Sequence, residues 1–524
     1  MQNFNIAGGL ARSMVERPEA NVLVVGQETL TYDAFTEAVK PLAHLLQSRL
    51  RSKRIGILGS RSVEAYIGIA ATAWAGGTYI PLNLKWPQAR LVELMSSLDL
   101  DALVVDANGA RLLTPAVREV APRLVIGPEG ADVVQFPSDG PTLDEPAYVD
   151  ARHTAYVMFT SGTTGTPKGV VVSAGSLDHY LAETRKWARL TADDRVAEAH
   201  DTTFDLSVHN TFLAWEAGAA LHIMSPLDLM APHRFIQRHE ITAWLSTPTV
   251  AAMAKPETLA GQMPSLTLST FCGEPLPLDL ATNWAAAAPN SRVENIYGPT
   301  ECTVVCTRQT LTEPPLVTPE RGILAVGRAY DNFDIVLLGP DLAPVAAGEA
   351  GEIALASPQL ADGYLDAPER TAERFRTIDG RRWYLTGDLG RFDADGVLHH
   401  LGRTDNQVKL KGNRVELEEV EMHLRRAAGT QMACVVAWPV VDGSAQGLVA
   451  FVANEEGEVD AKSLQGAMTE TLPRYMVPGT IHGIIELPRN TNGKIDRNAL
   501  KAELDATSGA RPAVSEPERS RVAA

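Results

Sequence analysis

The hydrophobic pattern of the N-terminal part of the chain alternates between short apolar runs and longer segments with helical spacing. Residues 54–58, 102–105 and 123–126 have the composition of buried strands, whereas 32–50 and 63–74 repeat apolar positions as one helix face does. Strands that alternate with helices are typically joined as βα units around a largely parallel sheet. The pattern therefore predicts an α/β fold.

The pattern changes in the C-terminal part of the chain. From 323 to 401, short strands are interrupted by Gly and Pro, which predicts an antiparallel, β-rich subdomain. After a charged link at 404–406, a strand, a helix at 417–427 and another strand indicate a small α+β domain. We predict a large domain at 1–403, a small mobile domain at 404–505 and a disordered tail at 506–524.

Composition and charge exclude several classes of protein. Of the 524 residues, 45% are hydrophobic and 21% are charged, which is ordinary for globular proteins. The net charge of −17 repels nucleic acid and anionic lipid, so neither is expected as a partner. The charge-free stretch 65–82 is broken by Gly76, Gly77 and Pro81, which argues against a membrane span.

The cysteines favour a reducing environment. The chain has four of them and no CxxC pair, so neither a disulfide framework nor a zinc site is predicted. The N-terminus lacks the basic segment, apolar core and cleavage site of a secretory leader. We therefore expect a cytoplasmic protein.

A glycine-rich loop carries the first chemical signal. The apolar strand 156–159 leads into Thr160-Ser161-Gly162-Thr163-Thr164-Gly165-Thr166-Pro167-Lys168-Gly169, and another apolar run follows. Backbone N–H groups, five hydroxyls and one cation suit a polyphosphate better than a plain surface turn. The order Pro167-Lys168-Gly169 differs from a Walker A loop.

This loop resembles the phosphate loop of the adenylate-forming superfamily, which includes acyl-CoA synthetases, luciferases and the adenylation domains of nonribosomal peptide synthesis. Further motifs of that family follow in order over about residues 25 to 500: AGGTYIPL at 75–82, YGPTE at 297–301, YLTGDL at 384–389, GRTD at 402–405 and NTNGKID at 490–496. The resemblance implies a large domain of two βα sheets plus a β-barrel-like subdomain, with the small domain on a hinge.

The resemblance also assigns roles to individual residues. Glu301 would hold Mg²⁺ on the phosphates of ATP, Tyr297 would stack on adenine, and Asp388 would bind the ribose hydroxyls. As residues considered alone, they could equally be a surface carboxylate, a core tyrosine and a turn aspartate. The predicted nucleotide-binding set is Thr160, Ser161, Gly162, Thr163, Thr164, Gly165, Lys168, Gly273, Glu274, Pro275, Asn295, Tyr297, Gly298, Thr300, Asp388 and Arg403.

Three residues are candidates for direct roles in the reaction. Lys494 lies in a loop of Asn, Thr and Gly, from which a cation could reach the reacting carboxylate and the α-phosphate; Thr160 would assist at the phosphates. Asp405, in the link, resembles the hinge residue at which the small domain swings from an adenylating to a thioester-forming pose. In the second pose the loop 409–414 would face the active site, although the same segment could be a plain basic hairpin.

The predicted substrate pocket favours an amino acid. Asp205 matches the aspartate that amino-acid-activating members pair with the α-ammonium, and a carboxylate between Phe204 and Leu206 would otherwise be costly to bury. His209 is a bulky pocket residue that could also be an ordinary core histidine. A small or medium neutral amino acid, of alanine, serine or proline size, is expected. The full predicted pocket is Asp205, Leu206, His209, Leu245, Thr270, Cys272, Ile296, Val304 and Val305.

Within the superfamily, the segments 204–208, 271–277 and 415–421 are especially similar to those of D-alanine–carrier protein ligases, although 209–215 departs from their pattern. The leading hypothesis is an ATP-dependent ligase that makes an aminoacyl adenylate and then loads a phosphopantetheine thiol. Because the tail is too short for a helical bundle, a separate carrier protein is expected. The alternatives are a D-alanine ligase specifically, an acyl- or aryl-CoA ligase and, remotely, an inactive nucleotide-binding scaffold.

Overall fold

The computed structural model describes residues 5–162, 167–319, 321–441, 444–489 and 495–508. In its first part the helices are α1 (Gly8–Glu16), α2 (Tyr32–Gln47), α3 (Val63–Trp74), α4 (Gln88–Ser97), α5 (Ala107–Arg111), α6 (Pro115–Val120) and α7 (Ala174–Ala188). The strands of the same part are β1 (Asn21–Val25), β2 (Glu28–Thr31), β3 (Arg54–Leu58), β4 (Thr78–Pro81), β5 (Ala102–Val105), β6 (Leu124–Gly127), β7 (Val134–Gln135), β8 (Thr154–Thr160) and β9 (Lys168–Ser173).

The next part of the chain carries the helices α8 (Leu206–Ala217), α9 (Pro232–His239), α10 (Pro248–Ala252) and α11 (Leu278–Ala287). Its strands are β10 (Arg195–Glu198), β11 (Ala220–Ile223), β12 (Ala243–Ser246), β13 (Leu268–Phe271), β14 (Arg292–Tyr297), β15 (Thr307–Thr310), β16 (Val317–Thr318), β17 (Ile323–Leu324) and β18 (Arg328–Ala329).

The β-rich segment and the small domain complete the fold. The first contains β19 (Asp334–Leu338), β20 (Gly351–Ala356), β21 (Gly363–Tyr364), α12 (Pro368–Arg374), β22 (Phe375–Ile378), β23 (Arg381–Phe392) and β24 (Leu398–Arg403). The second contains β25 (Gln407–Leu410), β26 (Asn413–Glu416), α13 (Leu417–Ala428), β27 (Ala433–Ala437), β28 (Val440–Val441), β29 (Ser444–Ala445), β30 (Leu448–Ala453), α14 (Ala461–Thr469), β31 (Thr480–Ile484) and α15 (Arg497–Ser508).

Two mostly parallel sheets form the large domain, as the alternating pattern predicts. One has the strand order β18-β15-β14-β13-β12-β10-β11-β1-β2 and the other β21-β9-β8-β4-β3-β5-β6-β7. Apolar residues of α2, α3, α7 and α8 join both sheets in a continuous core that includes Phe35, Ile69, Leu177 and Phe212. The α/β fold class is therefore confirmed.

The β-rich segment is less separate than the sequence suggests. Strands β19, β20, β22, β23 and β24 form an antiparallel sheet. However, β18 pairs with β15 and β21 pairs with β9, so both extend the edges of the large sheets. Short strands cut by Gly do not reveal which sheet they will join, because the pairing is decided by long-range contacts.

The small domain has its own apolar core, which includes Leu410, Val420, Val435 and Val452. The helix α13 matches the predicted helix closely. The last helix, α15, ends at Ser508, three residues beyond the predicted end of the domain; the rest of the predicted tail lies outside the described residues. The predicted domain boundary at 403 falls at the end of β24.

Candidate active site

A cavity of about 310 Å³ lies between the large domain and the small one. On the large domain it begins at the carboxyl ends of β13 and β14, where ligands of open α/β sheets usually bind. The residues that line it from this side include Gly273, Glu274, Pro275, Asn295, Ile296, Tyr297, Gly298, Asp388 and Arg403, most of which we predict to bind nucleotide; from the small domain come Lys409, Arg414, Ala437 and Lys501.

Asp388 is the centre of one end of the cavity. Its carboxylate accepts hydrogen bonds from the Tyr297 hydroxyl and from Arg403 Nη1, both at 2.5 Å, and His400 Nε2 lies 3.5 Å away. Burial alone would raise the pKa of Asp388, but Arg403 and His400 outweigh it and hold this pKa well below its usual range. The aspartate is thus an anionic acceptor beside an aromatic ring, as ribose and adenine require.

Glu301 marks the other end of the candidate site; it does not line the cavity but contacts Arg414, which does. It lies in a single 3₁₀ turn, Thr300–Cys302, and its side chain is fully buried. Arg414 Nη1 and the Tyr364 hydroxyl each lie 2.8 Å from its oxygens, and Lys168 Nζ lies 3.9 Å away. Burial would raise the pKa of Glu301, but Arg414 and Lys168 together keep it well below the usual range.

The donors around Glu301 bear on whether Mg²⁺ fits there. An anionic carboxylate is a suitable ligand. The hydroxyl of Thr160, the first residue of the glycine-rich loop, is buried and has no hydrogen-bond partner in the described part of the chain. That same part contains no cluster of three or more His, Cys, Asp or Glu residues able to hold a metal. The residues therefore fit a metal that arrives with phosphates supplying further ligands, once Arg414 has left Glu301.

Lys168 connects this end of the site to the glycine-rich loop. Its ammonium lies 3.4 Å from Glu416 and over the ring of Tyr364. Burial and the charge of Arg414 lower the pKa of Lys168 to about 8, although Glu301 and Glu416 partly oppose the shift. Ser161 and Gly162 are described and contact the small domain, whereas the predicted ligands Thr163, Thr164 and Gly165 lie outside the described residues, as does Lys494.

The predicted amino-acid pocket is brought together at the start of α8 and the ends of the neighbouring strands. Asp205 is half-buried; burial raises its pKa, and the Thr300 hydroxyl and the cation of Lys409 act in the opposite direction. Cys272 and Ile296 line the cavity. The remaining predicted members are buried without lining it: Leu206, His209, Leu245, Thr270, Val304 and Val305.

His209 is a satisfied core residue. Its Nδ1 is hydrogen-bonded to the hydroxyl of Tyr180, and the rings of Tyr180 and Trp187 lie about 6 Å from its own. Burial lowers the pKa of His209 to about 3, so the imidazole is neutral. Of the two interpretations that the sequence left open, the structure favours the core histidine.

A strained turn carries Val304 and Val305. Thr303 and Val304 both have positive φ (58° and 74°), a conformation that β-branched residues rarely adopt. The buried Gln359 amide donates from Nε2 to the carbonyl oxygens of Cys302, Thr303 and Val305 at 2.7, 3.2 and 2.7 Å. Sequence reasoning missed Gln359, because no local pattern marks a buried loop glutamine.

The hinge candidate Asp405 is tied to the nucleotide end of the cavity. Arg403 Nε and Nη2 lie 2.7 and 2.8 Å from its two oxygens, and Arg374 lies at 3.6 Å. Burial would raise the pKa of Asp405, but Arg403 outweighs it and lowers this pKa. Arg403 thus contacts both Asp388 and Asp405.

The small domain presents the hairpin β25–β26 to the site. Lys409 is half-buried beside Asp205 and Cys272, Gly412 approaches Thr247, and Arg414 reaches Glu301. This is the face that the sequence predicts to turn inwards for thioester formation. Arg414 also lines the cavity, so the segment is not merely a basic surface hairpin.

The four cysteines are free and buried, and burial raises the pKa of Cys272 to about 12. In the described part of the chain, no helix has the length and apolar character needed to cross a membrane.

Comparisons with known proteins agree with this geometry. The sequence model described as AMP-binding enzyme matches residues 10–365, and that of the AMP-binding enzyme C-terminal domain matches 419–494. The chain is 32% identical to malpinin synthetase of Mortierella alpina over 93% of its own length and 6% of that protein. It spans 6 to 47% of the length of three synthetases that it resembles.

Two further relatives are covered almost completely. The chain is 30% identical to the D-alanine–D-alanyl carrier protein ligase of Bacillus cereus, over 88% of the chain and 92% of that protein. The crystal structure of the adenylation domain AlmE of Vibrio cholerae, in complex with glycyl-adenosine-5'-phosphate, is 32% identical, with a TM-score of 0.86 over 97% of this chain and 98% of that one.

Proposed function

The chain belongs to the family of AMP-binding enzymes, and we propose that it activates a small or medium neutral amino acid with ATP and then loads it onto the phosphopantetheine thiol of a carrier protein. The observation that carries the proposal is the carboxylate of Asp205, half-buried beside the cavity residue Cys272. It would pair with the α-ammonium of the substrate, a contact that a fatty or aryl acid lacks.

In the first step, an oxygen of the substrate carboxylate bonds to the α-phosphorus of ATP, and pyrophosphate leaves. Tyr297 and Asp388 would hold the adenosine, while Lys168 and the glycine-rich loop bind the phosphates. Mg²⁺, held by Glu301, would neutralise phosphate charge when bound. Lys494 is proposed as the cation that stabilises the charge on the reacting carboxylate and α-phosphate.

In the second step, the thiol sulfur bonds to the carbonyl carbon of the adenylate, its proton is lost, and AMP leaves. The position of hairpin β25–β26 supports this step, because the hairpin covers the site and places Lys409 beside Asp205. Asp405 is proposed as the hinge residue that lets the small domain swing between the steps. Its contacts with Arg403 and Arg374 would then belong to this pose.

The proposed size of the substrate follows from the side chains behind the cavity. His209 is neutral and hydrogen-bonded to Tyr180, and Ile296 is bulky. Among the nine predicted pocket residues only Asp205 is charged, although Lys409 of the small domain adds a cation beside it. Alanine, serine or proline would fit such a pocket. The similarity to an enzyme named for D-alanine, and to a domain bound to a glycyl adenylate, supports the small end of this range.

The test is ATP–pyrophosphate exchange with the purified protein across L- and D-amino acids, glycine, aryl acids and fatty acids, with a carrier-loading assay on the best substrate. We expect one small neutral amino acid to dominate, and Asp205→Ala and Lys494→Ala to abolish the signal. Arg238→Ala, which removes an exposed partner of Asp228 far from these residues in sequence, serves as the control. Exchange only with acids that lack an amino group would contradict the proposal and favour a CoA ligase.

A further inference from the structure

One buried ion pair joins the two domains outside the residues that we place at ATP or the amino acid. Arg90, on α4 of the large domain, and Glu419, on α13 of the small domain, meet with Nη1 and Oε1 2.8 Å apart. Their side chains are 7% and 0% exposed. This pair belongs to one particular arrangement of the domains, because its two partners lie on different domains and separating them would break the contact.

We infer that Arg90 is a positioning residue for the thioester-forming step. It holds Glu419 of the small domain against the glycine-rich loop. The inference rests on the proposed two-step function. Arg90 itself touches neither the predicted nucleotide residues nor the amino-acid pocket: its hydrogen bond goes to Glu419, and its guanidinium lies 5.8 Å from the ring centre of Trp86.

The second oxygen of Glu419 links the docked position of the small domain to the reaction. Glu419 Oε2 accepts a hydrogen bond from the backbone N–H of Gly162 at 3.1 Å. Beside it, the hydroxyl of Ser161 donates to the carbonyl of Arg414 at 2.8 Å. The small domain thus occupies two donors of the loop that is predicted to hold the phosphates of ATP.

The Glu419 carboxylate and a phosphate cannot share the Gly162 N–H, because the two anions would repel each other at hydrogen-bond distance. The small domain can therefore dock with Glu419 at Gly162 only after pyrophosphate has left the loop. Arg90 compensates the charge of Glu419 at that point. Without Arg90, the pose would bury a carboxylate that has lost its cation, which is strongly unfavourable.

The experiment separates the two half-reactions in the full-length protein. With the amino acid selected by pyrophosphate exchange, hydroxylamine trapping measures adenylate formation, and pantetheine as acceptor measures thioester formation. For Arg90→Met we expect exchange and trapping within about twofold of wild type and thioester formation at least tenfold slower, in line with breaking a buried ion pair. Arg90→Lys should recover a large part of the loss.

The control within one domain is Arg292→Met, although Arg292 is 36% exposed and Glu294 keeps a second partner, Arg308. Arg292 also pairs with a fully buried glutamate, Glu294, but within the large domain. The Arg292→Met variant should leave the ratio of the two half-reaction rates unchanged. If Arg90→Met slows both half-reactions equally, or slows neither, the inference is wrong. It is also wrong if Arg90→Lys behaves like Arg90→Met while both proteins are folded.

A further measurement needs no acceptor. It applies if wild type forms adenylate but no thioester, a result that would contradict the proposed second step rather than the role of Arg90. Hydrogen–deuterium exchange of the unliganded proteins reports how firmly hairpin β25–β26 and α13 are docked. We expect faster exchange there in Arg90→Met than in wild type and Arg292→Met. Unchanged protection would overturn the inference.

Discussion

The proposed active site has a nucleoside end at Asp388, which lines the cavity, and a phosphate end at Glu301 beside it, and the two are built differently. At the nucleoside end, Asp388 is held by Tyr297, Arg403 and His400, all from the large domain. At the phosphate end, Glu301 is held by Lys168 of the large domain and Arg414 of the small one. The contacts around Asp388 can stay unchanged when the small domain moves, whereas Glu301 must lose its contact with the Arg414 cation. The proposed two-step reaction would need both: a nucleoside site that stays unchanged and a phosphate site whose charge can change.

The sharpest test of this comparison exchanges one carboxylate at each end. Asp388→Asn should lower kcat/KM for ATP by about 100-fold and should slow both half-reactions, because AMP must be held in each. Glu301→Gln should reduce adenylate formation by a similar factor but should slow thioester formation from supplied aminoacyl adenylate much less. Trapping and thioester assays measure the two rates. Equal losses in both steps for Glu301→Gln would break the comparison.

A second test concerns the turn that follows Glu301. Gln359→Leu removes the side-chain donor to the carbonyl oxygens of Cys302 and Val305, whereas the Thr303 oxygen keeps the Val305 N–H; the change should release the strained turn at Thr303 and Val304, costing about 2 kcal/mol of stability. We expect KM for the amino acid to rise about tenfold, which corresponds to about 1.4 kcal/mol of binding free energy, and KM for ATP to change little. Gln309→Leu is the control, since buried Gln309 makes one local hydrogen bond. A larger effect on ATP than on the amino acid would contradict this assignment.

The pH dependence distinguishes the ends as well. Lys168, at the phosphate end, has a pKa lowered to about 8 by burial, so it loses its proton, and with it its positive charge, as the pH rises through 8. We expect kcat/KM for ATP to fall above that pH by up to about tenfold per pH unit. Lys168→Arg, which stays charged, should move the fall to higher pH. An unchanged profile in this variant would assign the titration to another group.

The smallest expected effect is at the nucleoside end. Arg321 Nη1 donates to His400 Nδ1 at 3.0 Å, and His400 Nε2 faces Asp388 at a long 3.5 Å. His400→Phe should raise KM for ATP only about two- to threefold, as a weak contact implies, and should not alter the ratio of half-reactions. A change in that ratio would show that this end also depends on the pose.

The sequence predicts the features that depend on a local pattern better than those that depend on contacts between distant residues. The strand at 54–58, the helix at 63–74 and the predicted residues around Asp388 could be recognised because each depends on local periodicity or on a contiguous motif. Gln359 and Arg90 could not, because their partners lie 54–57 and 329 residues away in the chain and no local pattern marks them. The edge positions of β18 and β21 were missed for the same reason.

The buried thiol of Cys272 has a consequence for chemical selectivity. An aminoacyl adenylate is a strong acylating agent, and this enzyme would form it in a cavity that one of its own cysteines lines. With a pKa of about 12, only about one Cys272 side chain in 10⁵ is a thiolate at neutral pH, and the thiolate is the nucleophile. So low a thiolate fraction would limit acylation of Cys272, and an adenylate formed here would persist until an outside thiol arrived.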